Sequence, residues 1–222
     1  MQVVGIDGCR QGWVAIRLDD GAFAGAEVHP KFSEIVSHYP GAAVLGVDIP
    51  VGLLDTGWRD CDHDARAFLG KRASAVFPTP PRPVLAAEAH DEATALAREL
   101  AGKGISQQSF ALARKILEVD AVAADARIYE VHPEVAFQVM AGRSLSHSKR
   151  TWAGVADRLA LVRAAGIDVP TELGSAGALP PDDVLDAAAV AWTAHRIATG
   201  GARSFPADPG QRDGDRIIAI WA

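Results

Sequence analysis

Four aspartates stand at the ends of apolar segments. Asp7 follows the run "VVGI", Asp48 follows "AVLGV", and Asp183 and Asp186 lie three residues apart in "PPDDVLDAAAVAW". A spacing of three places the last two on one face of a helix. Carboxylates a few Å apart repel by about 4 kcal/mol per pair at an effective dielectric constant near 20, so such a group needs a cation. Mg²⁺ and Mn²⁺ prefer oxygen ligands, and a pair of these ions can activate water for phosphodiester hydrolysis.

Each aspartate also has an ordinary structural interpretation. Asp7 before glycine is typical of an Asx turn, and either Asp182 or Asp183 is expected to be the N-cap of the last helix. Asp186 fits a first-turn acid that interacts favourably with the helix dipole. Asp48, which is followed by Ile-Pro, fits a turn less well. These separate interpretations do not explain why all four acids stand at element ends, which favours a shared site.

The elements that must position these acids follow from periodicity and turn signals. Strands are expected at residues 2–7, 13–18 and 22–28, then a helix at 31–39 and a buried strand that Pro50 ends. Helices are expected at 60–69, 88–102 and 106–125, with the rigid loop "FPTPPRP" after the first. A strand at 127–131 precedes helices at 133–141, 151–165 and from Asp182 or Asp183 to 199, and "RIIAIW" is expected to form an edge strand.

This order predicts an α/β protein with the ribonuclease H-like fold. The sheet is expected to be mixed and five-stranded, with a three-strand antiparallel meander plus parallel strands, flanked by helices. We expect a single domain over residues 1–222, with a helical insertion at about 58–125. In this topology the ends of the first and fourth strands and the start of the last helix come together, so the four acids should converge.

Charge and composition limit the classes of molecule that the protein is expected to bind. The formal charge of −6 and the pI of about 5.6 disfavour a broad electrostatic grip on nucleic acid, so any such contact needs a local basic patch. Cys9 and Cys61 lack zinc-site spacing and indicate reduced thiols. No signal peptide or membrane segment is evident, so we expect a cytoplasmic protein with no membrane partner.

Seven ordered motifs resemble one known family. They are "GIDGCRQGW", "GVDIPVGL", "RDCDHDARAFLGKRASAVFPTPPR", "GKGISQQSF", "KILEVD", "YEVHPEVAF" and "DDVLDAAAVAWTA". Together they resemble the domain of unknown function 429 (DUF429) family, whose members are predicted to be ribonuclease H-like nucleases. The resemblance covers essentially the whole chain and implies that fold with a metal-dependent nuclease-type site.

Within that superfamily the acids look most similar to those of Holliday-junction resolvases. There the carboxylates come from the first strand, the fourth strand and a pair three apart on the last helix, which matches Asp7, Asp48, Asp183 and Asp186. The fourth-strand acid of that branch is usually glutamate, so the shorter Asp48 is a departure. The resemblance implies that these four residues are catalytic and bind Mg²⁺ or Mn²⁺, with Glu134 as a further candidate ligand.

Basic residues near the family motifs are candidates for binding substrate phosphates. A lysine or arginine more often lies on a solvated face, and the candidates with the strongest local context are those beside the proline-rich loop and in "SHSKRT". The predicted set is Arg10, Lys71, Arg72, Lys115 and Lys149. Trp13, Trp152 and Trp192 are expected to belong to the core.

Three functions remain open at this point. The first is a metal-dependent phosphodiester hydrolase, a nuclease acting on nucleic acid or a nucleotide. The second is phosphoryl transfer or hydrolysis on a small molecule, since sugar kinases and actin-like ATPases share the core and also open on a strand ending in Asp-Gly. The third is a non-catalytic binding module, and a homodimer is compatible with each.

Overall fold

The computed structural model describes all residues, 1–222, and divides the chain into two compact units. Unit 1 comprises Met1–Ile49, Arg127–Arg203 and Trp221–Ala222. Unit 2 comprises Pro50–Ala126 and Ser204–Ile220. The insertion predicted at 58–125 lies within unit 2. All four predicted site aspartates lie in unit 1.

Nine strands and nine helices make up the chain. The strands are β1 (Gln2–Cys9), β2 (Gly12–Asp19), β3 (Ala22–His29), β4 (Val44–Val47), β5 (Ile128–Glu130), β6 (Ser204–Phe205), β7 (Arg212–Asp213), β8 (Arg216–Ile217) and β9 (Ile220–Trp221). The helices are α1 (Phe32–His38), α2 (Asp60–Leu69), α3 (Arg82–Leu85), α4 (His90–Ala101), α5 (Gln107–Ala111), α6 (Ala113–Asp120), α7 (Pro133–Ala141), α8 (Trp152–Ala164) and α9 (Pro181–Ala198). Short 3₁₀ segments occupy Gly70–Ala75 and Gly174–Ala178.

The central sheet of unit 1 confirms the predicted fold class. Its strand order is β3-β2-β1-β4-β5, with antiparallel pairing in the β1–β3 meander and parallel pairing of β4 with β1 and β5. Helices flank this mixed five-stranded sheet, as in the ribonuclease H-like fold. The tight β1–β2 turn requires Gly12, whose φ is +126° and whose Cα faces the His29 carbonyl too closely for a side chain.

Helix α9 packs across β1, β2 and β4, and α7 and α8 pack against it in turn. Two paired glycines, Gly5 and Gly46, allow this close approach. A methyl group on Gly5 would overlap the α9 backbone at Ala187 and Ala191, and one on Gly46 would press on Val190. The small apolar face of α9 expected from the sequence therefore packs directly on the sheet, which fixes the height of the helix above it.

On the opposite face of the sheet, α1 packs against β2 and β3. Because side chains alternate along a strand, Trp13 points away from the core cluster that contains Val14. The Trp13 ring instead meets Phe32 of α1 edge-to-face at 5.2 Å between centroids. Trp13 is fully buried, as predicted, and Trp192 is half-buried. Trp152 is 85% exposed, so its assignment to the core is wrong.

Unit 2 contains α2 to α6. A buried ion pair joins Arg59 to Asp62 at 2.5 Å, and the second oxygen of Asp62 accepts the Thr79 N–H at 2.7 Å. This contact ties the proline-rich loop to α2. The single helix expected at 106–125 is wrong: the Leu112 N–H donates to the carbonyl three residues back, and this tighter turn separates α5 from α6.

Two other element boundaries differ from prediction. Helix α9 begins at Pro181 with Pro180 as its N-cap, because proline suits the first helical turn, so neither Asp182 nor Asp183 is the cap. The segment "RIIAIW" forms the two short strands β8 and β9 rather than one edge strand, and only Trp221 makes a parallel bridge beside the main sheet, to Val131 directly after β5. Three consecutive buried residues, 218–220, break the alternation that an edge strand needs. None of the nine helices has both the length and the apolar character needed to cross a bilayer.

Candidate metal centre

The register of β1 and β4 brings Asp7 and Asp48 together. Parallel pairing of the two strands ends at Ile6 and Val47, and the Asp48 N–H still donates to the Ile6 carbonyl at 2.9 Å. Asp7 and Asp48 thus follow the last pair, each two residues after its helix-facing glycine and on the same face of the sheet. Strand β1 itself continues to Cys9 with β2, so Asp7 marks the end of parallel pairing rather than the end of the strand.

Helix α9 supplies the third carboxylate. Ala187 and Ala191 of α9 rest on Gly5, which places Asp186 above the ends of β1 and β4. The carboxylate oxygens of Asp7, Asp48 and Asp186 lie within 4.8 Å of one another, and Asp186 is 1% exposed. Three residues that are at least 41 positions apart in sequence therefore form one acidic group, which we call the acid cluster.

Burial and mutual repulsion alter the acidity of the cluster. Burial raises the pKa of Asp7 well above its ordinary value, and the charges of Asp48 and Asp186 raise it further. Burial also raises the pKa of Asp48 and that of Asp186 to about 7, although Lys149 opposes both shifts. Two carboxylates 4.8 Å apart repel by about 3.5 kcal/mol at an effective dielectric constant of 20. The cluster therefore either holds protons at neutral pH or requires positive charge.

Lys149 provides one such charge. Its ammonium forms an ion pair with Asp186 Oδ2. Burial alone lowers the pKa of Lys149, but the carboxylates of Asp186, Asp48 and Asp7 outweigh that effect and raise it, so the side chain stays protonated. Lys149 was predicted to bind phosphate, and the structure places it against the acid cluster.

The donor atoms fit a hard divalent cation. All three side chains offer carboxylate oxygens, the ligands that Mg²⁺ and Mn²⁺ prefer. The other carboxylate oxygen of Asp186, Oδ1, is buried and has no hydrogen-bond partner, which is costly unless a cation or proton satisfies it. Asp7 Oδ1 accepts the Gly8 N–H at 2.7 Å, which fixes the orientation of that carboxylate.

The remaining predicted acids lie around the acid cluster. Asp183 is half-buried in the first turn of α9 and is not one of the three converging carboxylates, but its charge adds to the raised pKa of Asp7. Glu134 lies at the start of α7, where its Oε1 accepts a hydrogen bond from Arg158 at 2.6 Å. The charge of Glu134 raises the pKa values of Asp48 and Asp186. Direct metal binding by Asp183 or Glu134 stays a prediction.

Arg158 is a site residue that the sequence reasoning missed. It is fully buried on α8, where it pairs with Glu134 and also donates to the carbonyls of His147 and Gly154 at 3.3 and 3.0 Å. The available signal was its position: 154, 158 and 162 form the buried stripe of α8, and a charged residue within such a stripe needs a partner.

The segment that carries Lys149 is anchored to the start of α8. Thr151 Oγ1 donates to the Ser148 carbonyl at 2.8 Å and accepts the Gly154 N–H at 3.1 Å. A side chain at Gly154 would overlap the Ser148 carbonyl. Together with the Arg158 bond to His147, these contacts hold residues 147–151 in one conformation, which directs Lys149 toward Asp186.

Four further residues were predicted to bind substrate phosphates. Arg10 is exposed in the β1–β2 turn of unit 1. Lys71, Arg72 and Lys115 belong to unit 2, where Lys71 is exposed and the other two are half-buried. Substrate binding by these four residues stays a prediction.

Comparison with known proteins identifies the family. Residues 5–211 match the family model described as "Protein of unknown function (DUF429)". The chain belongs to the DUF429 family. No curated protein and no solved structure matches it significantly. The DUF429 match spans the acid cluster, Lys149 and Arg158, so the whole candidate site lies within the family region.

Proposed function

We propose that this DUF429 protein is a metal-dependent phosphodiester hydrolase, a nuclease whose acid cluster binds Mg²⁺ or Mn²⁺. The observation that carries the proposal is the convergence of three carboxylates, on the buried Asp7 and Asp186 and the half-buried Asp48, with one oxygen of each within 4.8 Å of the others. Several acids that face one another away from water are costly unless they serve a function that needs them. Their arrangement at the ends of adjacent parallel strands supports a ligand site at this edge of the sheet.

The acid cluster supports such chemistry by supplying oxygen ligands for a cation. A bound divalent cation would polarise a phosphate oxygen and lower the pKa of bound water, which supplies the nucleophile near neutral pH. Asp7, Asp48 and Asp186 would hold the cation, with Asp186 Oδ1 as a buried oxygen available to it. Asp183, nearer the surface in the same helix, would add a fourth carboxylate on the substrate side.

Lys149 would change partners in this scheme. Without a cation its ammonium neutralises Asp186. If a divalent cation neutralised that carboxylate, the lysine would be free to contact a substrate phosphate, the role predicted for it from the sequence. Its side chain is 33% exposed, so it can reach an incoming ligand without unfolding of the segment that carries it.

Cleavage assays test the proposal. Purified protein is incubated with Mn²⁺, Mg²⁺ or EDTA and with single-stranded DNA, RNA, an RNA–DNA hybrid and a branched junction. We expect metal-dependent cleavage of at least one substrate, reduced in D7N, D48N and D186N by more than the roughly 10–100-fold typical of outer-shell changes. Asp182→Asn is the matched control, since Asp182 shares the first turn of α9 but is outside the acid cluster.

The cleavage assays, an ATP hydrolysis assay and calorimetry together distinguish the alternative functions. Cleavage by D7N at the wild-type rate would overturn the proposal. Metal-dependent hydrolysis of ATP without cleavage of any nucleic acid would support phosphoryl transfer on a small molecule instead. Absence of divalent-cation binding in calorimetry would support a binding module.

A further inference from the structure

Trp152 is the most exposed large apolar side chain of the protein. It is 85% exposed, whereas Met1 and Ile217 reach only 44% and 43%. Trp13 is buried, and the remaining tryptophans, at positions 58, 192 and 221, are half-buried. A single exposed apolar residue is ordinary, so the meaning of Trp152 depends on its surroundings.

Those surroundings point to the acid cluster. Trp152 is the first residue of α8 and follows Lys149, whose ammonium contacts Asp186, by three positions. Three residues of chain span at most about 11 Å between Cα atoms, so the indole and the ammonium belong to side chains carried by one short stretch of backbone. Arg150, between them, is also exposed. An exposed aromatic ring, an exposed guanidinium and the candidate phosphate-binding lysine thus lie on one short segment.

This segment is preorganised. Arg158 holds the His147 carbonyl, Thr151 caps α8 through the Gly154 N–H, and Gly154 leaves room for the Ser148 carbonyl. The ring therefore projects from a helix start whose backbone is fixed. Presenting an aromatic surface on a fixed backbone reduces the entropy lost on binding a planar ligand.

We propose that Trp152 is a stacking platform for an unpaired nucleobase of the substrate, next to the phosphate that Lys149 contacts. The inference rests on the proposed function and specifies its substrate class. Every base has a π face that can stack on an aromatic side chain, so the contact selects unpaired nucleotides rather than a particular sequence. Bases inside a continuous duplex are already stacked on their neighbours and cannot use it. A chain with a net charge of −6 lacks a broad electrostatic grip, which makes such a contact more important.

Binding without cleavage tests the inference. Anisotropy of a labelled oligothymidylate is measured in EDTA and in Ca²⁺, a cation that also takes carboxylate ligands and would free Lys149. The proteins compared are wild type, Trp152→Ala and Trp152→Phe, with Ile217→Ala as the control for loss of an exposed apolar side chain. Stacking on one base predicts roughly 5- to 150-fold weaker binding for W152A, a smaller loss for W152F and no change for I217A. Blunt duplex DNA should bind more weakly than the single strand and should be insensitive to W152A.

Further arms separate the sources of the base and rule out other roles for the ring. We expect unlabelled oligothymidylate to quench the tryptophan emission of wild type but not that of W152A. Quenching by thymidine monophosphate alone would show that a free nucleotide is sufficient for stacking on Trp152. Equal affinity of wild type and W152A for the single strand would overturn the inference. So would concentration-dependent dimerisation that shields Trp152 from acrylamide in the absence of nucleic acid.

The outcome is independent of catalysis. Because binding and cleavage are measured separately, Trp152-dependent binding with no cleavage in any metal would keep the stacking inference and overturn the proposed nuclease activity. Metal-dependent cleavage of single strands with an unchanged KM in W152A would keep the activity and overturn the stacking inference. Since Trp152 is exposed, its removal should leave thermal unfolding unchanged, which excludes misfolding as the cause of lost binding.

Discussion

Replacing Lys149 with methionine should destabilise the metal-free protein in a pH-dependent way. The ammonium is the cation that contacts Asp186, and the three carboxylates around it lie within 4.8 Å of one another. Removing one partner of a buried ion pair costs about 3–5 kcal/mol. Because the lysine side chain is 33% exposed, solvent screening reduces the expected cost to about 2–4 kcal/mol. For a chain of this length that corresponds to a fall in Tm of roughly 5–15 °C.

The pH dependence follows from the acids. In K149M the carboxylates can avoid repulsion by binding protons, which costs little at pH 5.5 and more at pH 8. We therefore expect a large decrease in Tm at pH 8 in EDTA and a smaller one at pH 5.5. Adding Mn²⁺ at pH 8 should raise the Tm of K149M more than that of wild type, since the ion no longer competes with an ammonium.

Thermal unfolding measured at both pH values, with and without Mn²⁺, checks these expectations. Arg150→Met is the matched control, because Arg150 is the exposed neighbour, and it should change stability by no more than about 0.5 kcal/mol. An equal loss of stability at both pH values would refute the electrostatic reasoning. A K149M protein that Mn²⁺ stabilises less than wild type would refute the idea that lysine and metal share the acid cluster.

Three further predictions follow from the same geometry. The folded-state pKa values of about 7 for the Asp48 and Asp186 carboxyls exceed the unfolded value near 4, so their contribution to stability is complete below about pH 4 and is lost as the pH rises through 7. Calorimetry in EDTA should therefore show that Asp48→Asn raises the Tm at pH 8 and makes the Tm less dependent on pH. A lower Tm for Asp48→Asn at pH 8 would contradict this. Gly5→Ala should cost about 3 kcal/mol or more in chemical denaturation, because its methyl group overlaps the α9 backbone, whereas Gly41→Ala, with open space around it, should be nearly neutral. Gly154 lies in helix α8, where replacing glycine with alanine usually stabilises a protein by about 1 kcal/mol. Because a methyl group there would overlap the Ser148 carbonyl, we instead expect Gly154→Ala to lower the Tm and to weaken phosphate binding. A higher Tm would show that the segment adapts to the added methyl group.

Periodicity was sufficient to predict the parts of the fold that rest on local patterns. The meander of β1 to β3, the parallel strands β4 and β5 and the helix bounds of α2 and α7 agree with prediction because each has a clear apolar period and a turn or proline at its ends. The start of α9 was misplaced because Asp182 and Asp183 resemble N-caps, and the preference of proline for the first turn prevailed. The break at Leu112 has no glycine or proline to announce it.

The acid cluster was predictable because sheet topology brings strand ends together. The hydrogen-bond network of Arg158 was not predictable from the sequence, because it depends on packing distances that no local pattern specifies. Arg158 joins Glu134 to the His147 carbonyl across segments distant in sequence. Trp152 was assigned to the core because tryptophan is usually buried on average, and only the structure shows that it lies outside the buried stripe of α8.

Anomalous diffraction from crystals soaked in Mn²⁺ tests the central claim most directly. The claim is that Asp7, Asp48 and Asp186 together bind a divalent cation. We predict an anomalous peak about 2.0–2.3 Å from an oxygen of each carboxylate, with Lys149 Nζ withdrawn from Asp186. The same peak should be absent from crystals of Asp48→Asn. A map with no peak at the acid cluster, in which Lys149 remains paired with Asp186, would contradict the account.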